Sequence, residues 1–124
     1  MAVFVILIIA LLGASLGLLQ RNSSTGTSYD IFTKRAYLSA YSGREIASIE
    51  LQEKATRENR CLNVTRAPVL PQSVGFHGCS VLNECAEVAT FENFNVYTIV
   101  SKADCKNQAM SVHQEISTTI SVAH

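Results

Sequence analysis

The order of patterns along the chain predicts an α+β protein in which a long N-terminal helix packs on a small antiparallel sheet of three to four strands held by two disulfides. Three observations carry that prediction. No charged residue occurs from Met1 to Leu19; a helical stripe of small side chains follows; and the last third alternates apolar and polar residues, with all four cysteines falling between Cys61 and Cys105. Three segments result: a transmembrane helix over residues 1–20, a hinge and amphipathic helix over 21–60, and a disulfide-bonded β head over 61–124.

The first segment, Ala2 to Leu19, reads AVFVILIIALLGASLGLL and is interrupted only by Gly13, Ser15 and Gly17 before Gln20 and Arg21. At about 1.5 Å of rise per residue, such a helix approaches the ~30 Å thickness of a bilayer's hydrocarbon. A cleaved secretory signal is the rival reading, because ALLGASLG contains small residues that a peptidase could accept. The run nevertheless lacks a basic leading region and exceeds the usual length of a signal's apolar core, which favours a retained anchor. Gly13, Ala14 and Gly17 are the positions where another helix could approach closely.

Asn22 to Ser28 (NSSTGTS) collects side chains that compete with helical backbone bonding, and Gly26 adds freedom, so a hinge is expected there. Thr27 with Asp30 resembles a weakened capping box and should restart a helix running to about Asn59. Tyr29, Phe32, Ala36, Ala40, Gly43, Ala47 and Leu51 recur at steps of three or four and share one stripe. Ala36, Ala40, Gly43 and Ala47 make its middle small, suited to close packing either on a neighbouring helix or beneath the head's own sheet. Glu50 with Lys54 and Glu53 with Arg57 are favourable four-residue pairs that mark a wet face.

Pro68 and Pro71 end the helical pattern and open a loop. Period two then takes over. Val112, Ile116, Thr118, Ile120 and Val122 alternate with His113, Glu115, Ser117, Thr119 and Ser121; Asn95 to Ser101 is a second strand and Cys79 to Val88 a third, with ATFEN as the turn between those two. A three-stranded meander follows.

Cys61, Cys79, Cys85 and Cys105 are an even set in a region with little core, which points to two disulfides and an oxidising compartment. A hairpin turn near Phe91 or Glu92 brings Cys79 opposite Cys105 and leaves Cys61 for Cys85. The sequential pairing, Cys61 with Cys79 and Cys85 with Cys105, stays open, as does the third connectivity. Zinc is disfavoured, since no C-x2-C pair occurs and His77 and Cys79 are separated by a single residue.

Composition narrows function further. Lys plus Arg and Asp plus Glu are 10 each, which leaves no basic surface for nucleic acid; Trp is absent and aromatics are 7%, too few for a stacking platform. His77 and His113 are the only plausible bases, with no serine motif or acidic pair beside them, so neither catalysis nor a small-molecule substrate nor a cofactor is expected. The sequons at Asn22 and Asn63 are compatible with export and carry no weight alone.

An apolar N-terminal helix continuing into a soluble one, then a small disulfide-bearing antiparallel sheet, resembles the type IV pilin and pseudopilin family. RAYLSAYSGREIASIE (Arg35 to Glu50) is similar to the R-A-x-x-A-A-x-S-G stretch of minor pilins of the PilX type and of the MshP-like group of the mannose-sensitive haemagglutinin pilus. CSVLNEC (Cys79 to Cys85), YTIVSKADC (Tyr97 to Cys105) and QEISTTISV (Gln114 to Val122) resemble the tail of that group. The resemblance implies a non-enzymatic structural subunit of a pilus or of a type II secretion pseudopilus. It would sit in the bacterial inner membrane with its head in the periplasm, and its partners would be other pilin subunits through a bundle of N-terminal helices. Family members are made with a short basic leader ending in Gly and commonly carry Glu at the fifth mature position, whereas this sequence opens without such a leader and has Val5. A subunit without that carboxylate is expected at a tip or in a low-copy initiating position. The reading from another class is a membrane-tethered extracytoplasmic binding or adhesion module.

Overall fold

The computed structural model describes the backbone of residues 2–53 and 60–123 and, within the helix, the side chains of residues 5, 6, 8–10, 13 and 26–53. The element order is α1 (Ala2–Glu53), a 3-10 turn (Arg60–Asn63), β1 (Cys79–Thr90), β2 (Phe94–Lys106) and β3 (Ser111–Ala123). The chain divides into two compact units, Met1–Ile31 and Phe32–His124.

The first unit is helical throughout its described length, including Asn22 to Ser28, where a hinge is expected from the sequence. The expectation fails for an energetic reason. Ser, Thr and Asn each lower helix propensity by at most ~0.7 kcal/mol and Gly by about 1, and without Pro no hydrogen bond of the ladder is removed. Thr27 is accordingly an interior residue and not a cap. Val5, Ile6, Ile8 and Ile9 are exposed. Among the described residues no helix is long and apolar enough to cross a membrane; of the segment expected as an anchor, side chains 1–4, 7, 11–12 and 14–20 lie outside the described residues, Ala14 and Gly17 among them. Gly13 lies within them, with open space where a Cβ would stand.

In the second unit the helix lies on one face of a β1-β2-β3 antiparallel meander. Three clusters follow one another along the contact: Ala36 with Cys105 and Val112, Ala40 with Leu70, Val81 and Ala103, and Ala47 and Leu51 with Tyr97 and Ile99. Toward the start of the contact small residues meet, Ala36 and Ala40 against Ala103 and Cys105, and toward its end Leu51 packs with Tyr97 and Ile99, so the two surfaces approach closely. The strict alternation of burial in β2, from Asn95 through Cys105, is what a strand covered on one side only should show.

β2 runs on past Ser101, its expected end, to Lys106. Ala103 and Cys105 are too small to advertise a strand, but they continue the inward set while Lys102 and Asp104 continue the outward one. β1 likewise extends to Thr90 through a bulge between Glu87 and Ala89, and the amide of Phe91 donates to the carbonyl of Phe94 at 2.9 Å to close the hairpin. Gly78 enters β1 with φ of 74°, and a Cβ there would come within 2.8 Å of the Lys106 carbonyl oxygen. Only Gly fits that approach.

Candidate functional site

The residues singled out in the sequence converge on the interface between helix and sheet. Ala36, Ala40, Gly43 and Ala47 all face the chain's own sheet, so of the two packing partners open to this stripe, the intramolecular one occupies it. Gly43 is the tightest point. A Cβ on it would stand 2.6 Å from Ser101 Oγ and 3.1 Å from Asn83 Oδ1, and would run into Val81 Cγ1.

Asn83 joins three pieces of chain at that point. Its Nδ2 donates to the carbonyls of Gly43 at 3.1 Å and Thr65 at 3.3 Å, and its backbone amide donates to the Arg66 carbonyl at 2.7 Å. Thr65 is held from the other side, its amide and Oγ1 each donating to the Glu50 carboxylate at 2.6 Å. The Glu50 carboxylate thus serves as an acceptor for a loop, where the sequence suggests a solvated pair with Lys54; Lys54 and Arg57 lie outside the described residues. Neither Asn83 nor the Glu50–Thr65 clasp is apparent from the sequence. The one trace is Asn83 itself, a polar residue at an inward position between Val81 and Cys85. Ser39 Oγ, Ser101 Oγ and Asn83 Oδ1 are buried here with no protein partner among the described residues.

Two disulfides bracket the seam, Cys61–Cys85 and Cys79–Cys105. The second joins residues that are direct partners in the β1–β2 register; the first ties the 3-10 turn to the middle of β1.

The opposite face of the sheet is solvated. Lys102 Nζ donates to Glu84 Oε2 at 2.7 Å, a bond and charge that hold the Glu84 carboxyl below its ordinary value and, reciprocally, the Lys102 ammonium above its own. His113 Nδ1 stands 3.2 Å from Asp104 Oδ1 across the β2–β3 register, both side chains about half exposed. His77 is exposed in the loop before Gly78. The two histidines lie on different elements and are not brought together. Among the described residues no group of three or more His, Cys, Asp or Glu could hold a metal ion.

No protein-family model, curated protein or solved structure matches the chain. Its architecture alone defines its class: an α+β protein whose head is a helix laid on a disulfide-stapled, three-stranded antiparallel meander.

Proposed function

We propose that this chain is a pilin-like structural subunit, a minor pilin or pseudopilin that takes part in initiating or tipping a type IV pilus of the mannose-sensitive haemagglutinin kind or a type II secretion pseudopilus. Residues 1–20 hold it in the inner membrane with the head in the periplasm, and assembly transfers that apolar segment from lipid to a bundle of similar helices. One observation supports this reading most. The small stripe of the helix is already covered by its own sheet, so the head needs no partner to bury its core, whereas the uncharged run before Gln20 carries apolar surface that water does not accommodate. Close approach at Gly13, Ala14 and Gly17 would make the bundle compact.

The test has two arms. The chain should stay with the membrane pellet through alkaline carbonate extraction, and quantitative mass spectrometry of sheared surface filaments should recover it far below the major subunit, with its deletion lowering filament number. Release into the carbonate supernatant, or complete absence from filaments whose number is unchanged on deletion, would reject the assignment.

A further inference from the structure

The β1–β2 hairpin ends in an aromatic tip that its own fold does not cover. Phe91 and Phe94 stack with ring centroids 4.6 Å apart, and they remain 51% and 38% exposed. The bulge beside them turns Val88 outward to 63% exposure. Two hydrogen bonds close the tip: the Phe91 amide donates to the Phe94 carbonyl, and Thr90 Oγ1 donates to Glu87 Oε1 at 2.6 Å. Its polar rim is acidic: Glu87 flanks the aromatic pair on one side and Glu92 stands between the two rings in sequence.

An open groove of about 350 Å³ lies elsewhere on the same head, between the 3-10 turn and β1; Cys61, Leu62, Val64 and Cys85 give it an apolar part, and Arg66, Asn83 and Glu84 a polar one. Leu62 is 81% exposed on its border. The groove is preformed by the Cys61–Cys85 disulfide and by the bond from Asn83 to the Arg66 carbonyl. Arg66 has no ion-pair partner within bonding distance among the described residues, although it is near enough to Glu84 to contribute to that carboxyl's downward shift; Glu84 itself is taken up by Lys102. Glu92 likewise has no ion pair among the described residues.

We propose that the Phe91–Phe94 tip of one copy docks into the Cys61–Cys85 groove of a second copy, with Glu92 facing Arg66. Cys85 and Phe91 are six residues apart along the hairpin, which in extended chain is ~20 Å. Tip and groove are therefore separate patches, and each copy can offer both at once. Two copies can make the contact reciprocally about a two-fold axis, or successive copies can make it head to tail, and either arrangement joins the tip of one copy to the groove of another. It uses only residues of the second unit and stands apart from the pilin-like reading, which survives if this contact fails.

The deciding experiment replaces Phe91 with photo-reactive benzoylphenylalanine in the full chain, irradiates it in detergent solution and maps the products by mass spectrometry. The expected product joins position 91 of one chain to residues 61–66 of another. Arg66→Glu should lower its yield about tenfold or more, as loss of an interface anchor does, and the added exchange Glu92→Arg should restore it. Arg66→Glu lies on the surface, and retention of both disulfides on non-reducing mass spectrometry shows that it folds. A tip cross-linked only to detergent or within its own chain, an intermolecular product mapping to another surface, or a yield indifferent to the charge exchange would each overturn the proposal.

Discussion

The two disulfides close loops of nearly equal length, with sequence separations of 24 and 26, yet they secure different things. In the chain-entropy description either bridge constrains the unfolded chain to about the same degree, roughly 3 to 4 kcal/mol. In the folded head they are not equivalent. Cys79 and Cys105 already face each other in a backbone ladder that runs the length of β1, so their bond repeats what the sheet enforces. Cys61 precedes a loop with no strand of its own, and its bond to Cys85, with the Asn83 and Glu50 clasps, holds that loop against the sheet. Equal loop entropy thus goes with unequal local consequence.

The largest expected effect breaks the comparison directly. Cys61→Ala with Cys85→Ala, and separately Cys79→Ala with Cys105→Ala, should each lower unfolding stability by about 3 kcal/mol in urea titration. Hydrogen exchange should tell them apart. The Thr65 and Asn83 amides should lose protection only in the first pair, because those bonds depend on the loop staying in place. The same exchange pattern in both variants would mean that the loop is held without its disulfide.

A middle-sized effect sharpens the picture of the seam between the bridges. Gly43→Ala should destabilise by about 1 to 3 kcal/mol despite alanine's better helix propensity, since Val81 and Ser101 occupy the space its Cβ needs. Gly75→Ala, in a loop with nothing near its Cβ, should be nearly neutral. Equal midpoints for the two variants in thermal unfolding would show that helix and sheet are less closely packed than this.

The smallest effect is on the wet face. Because Lys102 lowers the Glu84 carboxyl, the stability that this pair adds is present above the ordinary carboxylate value of 4.5 and fades as the pH falls through the lowered one. The raised Lys102 sets the other limit: its share is present below 10.5 and fades as the pH rises through the raised value. Both groups are exposed, so Glu84→Gln should shift the urea midpoint only slightly at pH 7 and by less as the pH falls to 2, a difference to be read from paired titrations. A substantial shift at pH 2 would assign Glu84 a role other than the ion pair.

Much of the head is legible residue by residue. The period-two run from Val112 to Val122 is β3 with its apolar members inward, and Ala36, Ala40, Gly43 and Ala47 are one buried face of the helix. Pairing Cys79 with Cys105 and Cys61 with Cys85 was one of the readings open to the sequence, and the hairpin closure at Phe91 selects it. The misreadings share a cause. NSSTGTS carries weak local preferences that sum to a hinge, but weak preferences do not break a ladder that loses no hydrogen bond. Ala103 and Cys105 carry too little β propensity to extend a strand on paper, and β1 and β3 on either side extend it in the fold.

Sequence by itself determined what depends on spacing within one element: which residues share a face, where the helical period yields to the strand period, and that the cysteines are paired. Tertiary structure decided what depends on contacts across elements: that the small stripe is filled by the chain's own sheet, that Asn83 reaches Gly43 and Thr65, and that Glu50 accepts from Thr65 of a loop. Periodicity is a one-dimensional property that local geometry projects onto a surface. The partner that covers that surface is chosen by the free energy of packing among segments as far apart as Gly43 and Ser101, and no local pattern encodes that choice.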